Sequence, residues 1–130
     1  MRSSEVVFTE RELDVMNVLW QDGSGTAGEI RKALEERSGI LLAVNTVQTV
    51  LGILKEKGRV RHVAQGRAHR YYPAVPRTAA KASAVRRLVR TLFDGSASLL
   101  VTQLVADRSL SKEEVQKIRD VVRKSTSRAE

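Results

Sequence analysis

Three times in this sequence a Thr or Ser stands three residues ahead of a Glu at the head of an apolar run: Thr9 with Glu12, Thr26 with Glu29, and Ser111 with Glu114. In such a capping box each side chain satisfies a free backbone N–H of the other residue, so each pair fixes where a helix starts. After Thr9, Leu13, Met16, Leu19 and Trp20 recur at helical spacing until "DGSG" at Asp22 to Gly25 breaks the pattern. After Thr26 the apolar side is Ala27, Ile30, Ala33 and Leu34, and it stops at Ser38 and Gly39. Asn45 is placed to cap a third helix whose stripe is Val47, Val50, Leu51 and Leu54, with Gly58 as its left-handed stop.

The periodicity then changes. "RVRHVA", "QGR" and "AHRYYP" read as two short β-prone runs joined by a Gly-containing loop, a hairpin closed by Pro73 and Pro76. Alternation along both runs is too imperfect to say which side chains face inward. Helical spacing returns at Arg77, where Ala82, Val85, Leu88, Val89, Leu92 and Phe93 form one stripe ending at Asp94 and Gly95. Leu100, Val101, Leu104 and Val105 mark a shorter helix, and Val115, Ile118 and Val122 follow the box at Ser111. The chain is therefore expected to be mainly α with a small β-hairpin. Residues 1–76 form a unit of three helices and a hairpin, and residues 77–130 form a helical region.

The helices of that second region are one-sided and too few to bury themselves. A symmetric dimer is the simplest cover, with Val85, Leu88, Val89, Leu92, Phe93, Leu100, Leu104, Ile118 and Val122 as its core. Packing back onto the first unit is the alternative.

Composition narrows the function classes. A formal charge of +8 on 130 residues, with a pI near 10.4, favours a polyanionic partner. The absence of Cys removes disulfides, thiolate metal sites and Cys nucleophiles. The start has no apolar run of signal-peptide length and nothing later approaches a membrane span, so a cytoplasmic protein without membrane insertion is expected. No Gly-rich phosphate loop, metal-ligand spacing or nucleophile elbow is present, so no catalytic residues, metal site or cofactor are expected. His62 and His69, without a carboxylate cluster nearby, read as phosphate contacts or surface residues rather than metal ligands.

With its stripe turned inward, the third helix leaves Asn45, Thr46, Gln48, Thr49, Gly52 and Lys55 outside. Asn and Gln bond bidentately to adenine, and Thr offers a hydroxyl plus a methyl that touches thymine. These residues cluster at the helix's N-terminal end, the part a recognition helix pushes into the major groove of double-stranded DNA, and Gly52 leaves room for close approach. Between Gly39 and Pro73, Lys55, Lys57, Arg59, Arg61, Arg67 and Arg70 stand against Glu56 alone. Arg67, at the hairpin tip, sits where a wing would follow a phosphate backbone. The competing reading is a protein–protein interaction module whose basic hairpin serves solubility; steep salt dependence of DNA binding separates the two.

The runs "TERELDVMNVLW", "NTVQTVLGILKEKGRV" and "GRAHRYYP" resemble the BlaI/MecI/CopY family of bacterial repressors, over roughly Phe8 to Val122. The resemblance implies a winged-helix homodimer on an inverted-repeat operator, with Asn45, Thr46, Gln48 and Thr49 on the recognition helix and Arg67 on the wing. Copper-responsive members carry Cys-x-Cys pairs that this chain lacks. Members responding to β-lactams through a membrane sensor protease are cleaved at an Asn–Phe bond in the dimerisation region. The equivalent place here reads "VTQLVA", with Gln103 and Leu104 at the candidate bond.

Overall fold

The computed structural model describes residues 6–108 and 110–129. In chain order they form α1 (Glu10–Asp22), β1 (Gly25–Thr26), α2 (Ala27–Ser38), α3 (Val44–Glu56), β2 (Val60–Gln65), β3 (Ala68–Pro73), α4 (Arg77–Leu92), α5 (Ala97–Ala106) and α6 (Lys112–Ala129). All three capping boxes form. At the first, Thr9 Oγ1 accepts from the Glu12 N–H at 3.1 Å while Glu12 Oε1 accepts from the Thr9 N–H at 2.8 Å. Thr26 with Glu29 and Ser111 with Glu114 repeat the exchange.

The start of α3 differs from the expected cap at Asn45. The helix begins at Val44, with Ala43 as an extended cap residue that makes no side-chain hydrogen bond. Val47 is fully buried, and its N–H takes the Ala43 carbonyl at 3.2 Å, a backbone partner that the Asn45 side chain would otherwise have to replace. Asn45 is thereby left exposed in the first turn. The C-terminal stop is as expected. Gly58 adopts φ +77°, its N–H bonds to Lys55 O, and the Arg59 N–H bonds to Leu54 O, the paired closure that needs a left-handed residue at this place.

Val15, Met16, Val18 and Leu19 of α1, Ala27, Ile30, Ala33 and Leu34 of α2, and Val47, Val50, Leu51 and Leu54 of α3 make the core, with Val60 of β2. The expected stripes of α2 and α3 are both buried. On α1 the buried arc is wider than one stripe: Val15 and Val18 go inside, while Leu13 and Trp20 are half-buried. The cause is that α1 packs on α2, α3 and β3 together. Trp20 lids this side, its Nε1–H donating to Val75 O at 2.9 Å and its ring meeting Phe8 edge to face.

The sheet is antiparallel in the order β1-β3-β2. Its third strand, β1, pairs Gly25 with Tyr71 and Thr26 with Arg70. No sequence pattern announced it, because a two-residue strand carries no period and "DGSG" reads as a break. Gly25 is buried there, and a Cβ on it would lie 3.2 Å from Ile30 Cγ1.

Packing divides the chain into two compact units between Ala84 and Val85. The hairpin ends at Pro73, and the first unit continues two turns into α4, where Ala80 and Ser83 are buried. In the second unit Ser96 caps α5 by accepting from the Leu99 N–H. Beyond Ser83 no described residue is buried. No helix among the described residues is long and apolar enough to cross a membrane.

Glu12 joins the first cap to the core, since its Oε2 accepts from Lys57 Nζ at 2.9 Å while the residue is 4% exposed. Burial pushes its carboxyl pKa up, but the Thr9 N–H and the Lys57 ammonium outweigh that and hold it below the usual Glu value. A depressed carboxylate stabilises the fold above the unfolded-state pKa, and that contribution is lost as pH falls through the folded value. Glu12→Gln is expected to cost about 1–2 kcal/mol at neutral pH, a gap that closes in acid. Urea unfolding of both proteins across that pH range checks it.

Candidate nucleic-acid interface

Burial of the α3 stripe decides what the helix shows. Asn45, Thr46, Gln48, Thr49, Gly52 and Lys55 are all exposed, as the spacing required. Asn45, Thr49, Gly52 and Glu56, at intervals of four and three, run down the line opposite the core; Gln48 and Lys55 flank it on one side, Thr46 and Ile53 on the other. Thr49 Oγ1 donates to Asn45 O at 3.0 Å, so what it offers outward is a methyl and oxygen lone pairs. A Cβ at Gly52 would meet nothing within 4 Å. The fold itself does not need glycine there.

Several exposed apolar side chains border this face and were not singled out from the sequence. Leu41, in the loop before α3, is 76% exposed; the exposed Ile53 lies on the flank of Thr46 and Thr49, and the exposed Val44 on the flank of Gln48. Their signal was available: all three fall outside the helically spaced core stripe. Glu56 was counted only as a charge, although it stands on the same line as Asn45.

The hairpin's register pairs Val60 with Pro73, His62 with Tyr71 and Ala64 with His69, which puts these six on one face. Val60 is buried and Tyr71 packs on the core, so this face turns inward at the root of the wing. The turn is Gly66–Arg67, with Gly66 at φ +63° and Arg67 exposed.

The cations counted together in the sequence separate into two groups. Arg70 is held inside the unit: Nε donates to Gln65 Oε1, Nη1 to Ser24 Oγ and Nη2 to Glu29 Oε2, each at 2.8–2.9 Å. Lys57 is paired with Glu12, the Arg61 guanidinium lies 4.6 Å from the centre of the Tyr72 ring, and Arg59 is half-buried with its Nε shielded from solvent. Lys55 and Arg67 have no hydrogen bond or ion pair among the described residues. They flank the α3 face and the wing tip as open charges.

His62 is half-buried, its ring 4.5 Å from that of His69 and 5.6 Å from Tyr71. Burial, then Lys55 and His69, hold its pKa below the usual imidazole value. Among the described residues no group of three or more His, Asp and Glu could hold a metal ion.

In the second unit Val89, Phe93, Leu100, Leu104 and Ile118 are half-buried, while Val85, Leu88, Leu92 and Val122 are exposed. Gln103 and Leu104 lie inside α5, and Gln103 O accepts from the Asp107 N–H, so the candidate scissile bond is helical.

Three helices with a small sheet, and a hairpin projecting beside the third helix, make a winged helix. Residues 8–124 match the penicillinase repressor family. The chain belongs to that family. It is 25% identical over 121 residues to the penicillinase repressor of Bacillus licheniformis, which covers 93% of each protein. To the methicillin resistance regulatory protein MecI of Staphylococcus aureus it is 22% identical over 117 residues, 90% of this chain and 94% of that one. Among solved structures, the complex structure of hsRosR-S4 matches with a TM-score of 0.56 at 16% identity, over 95% of this chain and 93% of that one, a likeness of fold. The penicillinase repressor family is one of DNA-binding transcriptional repressors, not of enzymes.

Because Arg70 ties β3 to the start of α2, Arg70→Ala is expected to lower stability by about 1 kcal/mol. The exposed Arg67→Ala is expected to leave it unchanged. Thermal unfolding followed by circular dichroism measures both.

Proposed function

We propose that this chain is a sequence-specific transcriptional repressor that binds an inverted-repeat operator in double-stranded DNA as a homodimer. The observation that carries the reading is the outer face of α3: Asn45, Thr46, Gln48, Thr49 and Gly52 lie exposed beside the open charges of Lys55 and Arg67. The helix enters the major groove, its amides and threonines meeting base edges, and Gly52 lets the groove wall come close. Lys55 and Arg67 meet phosphates, which fix position without reading sequence. The relatives' names, a penicillinase repressor and a methicillin resistance regulator, agree with this role.

The dimer follows from burial. One winged helix reads only a few base pairs, too little to single out one site in a genome, whereas a two-fold pair doubles the contacts and demands a matching inverted repeat. Val85, Leu88, Val89, Leu92, Phe93, Leu100, Leu104, Ile118 and Val122 are large apolar groups in a unit with no buried residue among those described, and a second copy covers them. Cleavage between Gln103 and Leu104 by a membrane sensor protease would cut α5 in the middle of that surface. Because the bond is helical, α5 must first unwind locally.

The DNA contacts should separate into two kinds. Gln48→Ala and Thr49→Ala are each expected to weaken operator binding by about 1–3 kcal/mol and to relax base preference at one position per half-site. Arg67→Ala should weaken binding to all sequences alike and reduce the salt slope by about one. Fluorescence anisotropy across salt concentrations, on the operator recovered by genomic selection, measures both. If the α3 variants keep full affinity and preference, α3 is not the reader.

For the dimer, Leu104→Asp places an unpaired charge in the expected interface. The variant is expected to sediment as a monomer with an intact first unit, and to lose tight operator binding. Analytical ultracentrifugation decides this: a variant that still dimerises, or a wild type monomeric at tens of micromolar, rejects the interface.

A further inference from the structure

The chain's two histidines, His62 and His69, expected from the sequence to be phosphate contacts or surface residues, lie together on the wing. Their rings meet edge to face, with Tyr71 beside both. The groups facing His62 are Lys55 from α3 and His69 and Tyr71 from β3. No carboxylate contributes to that environment. His62 Nδ1 is buried and has no hydrogen-bond partner among the described residues. The pair therefore sits where α3 meets the wing, beside the exposed cation Lys55.

We propose that His62 and His69 form a proton-gated phosphate site, in which the imidazolium form contacts a DNA phosphodiester and DNA binding takes up a proton. This rests on the DNA-binding reading above. In the free protein a proton on His62 is opposed by partial burial, by Lys55 and by His69, and on Nδ1 it would add a buried N–H without an acceptor. A phosphodiester drawn in by Lys55 reverses the balance. It supplies negative charge where the protein has only positive, and it offsets the repulsion from Lys55.

The sign follows from linkage. If the bound-state pKa lies above the free one, the added affinity is complete below the free-protein value, which itself lies under the ordinary 6.5, and is lost as pH rises through the bound-state value. The window is unusually clean in this protein. With no Cys and only these two His, no other side chain of ordinary pKa titrates between pH about 6 and about 8, and the α-amino group is the one further candidate. Phosphodiesters do not titrate there either.

The test uses the full chain and a fluorescein-labelled duplex of mixed sequence, since phosphate contacts do not read bases. Anisotropy titrations at constant ionic strength, from pH about 8 down to about 6, should show wild-type affinity rising about tenfold. The salt slope should steepen by about one over the same range. His62→Gln with His69→Gln should abolish this pH dependence. A wild type with no pH dependence, or a double variant that keeps it, overturns the site. Should the double variant fail to fold, the wild type still decides by NMR. Addition of the duplex should raise the titration midpoint of the His62 imidazole, and an unmoved midpoint rejects the proposal. Failure of the wild type to bind DNA at either pH would remove the DNA-binding reading itself, and this site with it.

Discussion

Everything on the candidate interface depends on one burial event, the seating of Val47, Val50, Leu51 and Leu54 against α1 and α2. Three of these four side chains are fully excluded from solvent, and fully burying a large aliphatic side chain stabilises a fold by about 1.5–3 kcal/mol. A helix held that firmly on one side has no freedom to rotate. The opposite line of Asn45, Thr49 and Gly52 is thus displayed by default. The Gly58 closure then ends α3 and sends the chain directly into β2, so the wing begins five residues after Lys55.

Charge shows why counting residues was not enough. A positive region is useful to a DNA-binding surface only where the charges are open, and the fold takes several for itself. Glu12 draws Lys57 toward the first helix cap, and Glu29 with Ser24 and Gln65 draws Arg70 into the joint between β3 and α2. Both carboxylates belong to capping boxes, so the residues that start α1 and α2 also decide which cations are withdrawn. Lys55 at one end of the surface and Arg67 at the other stay exposed without an ion pair among the described residues, with the histidine pair next to Lys55.

The second unit obeys a different logic. Its helices form with ordinary caps, yet no described residue beyond Ser83 is buried. Local signals therefore suffice to make helices there, while the apolar groups that would reward packing stay partly or largely exposed. The hydrophobic driving force left over is what a second copy of the chain would use.

The sequence by itself determined the helices and one side of each, because capping boxes and helical spacing are local and act within a few residues. It also determined the hairpin, the absence of any thiol chemistry, and the six outward residues of α3. Tertiary structure decided what no local pattern encodes. Strand β1 exists only because β3 offers it an edge, and Val15 and Val18 are buried only because α1 meets three elements at once. Asn45 lost its capping role because the buried Val47 N–H found the Ala43 carbonyl first. The partners of Arg70 lie 46 and 41 residues away in sequence, apart from the nearby Gln65, and those of Lys57 lie 45 away. Pairings at such separations depend on how the chain folds back on itself, and spacing along the sequence holds no record of them.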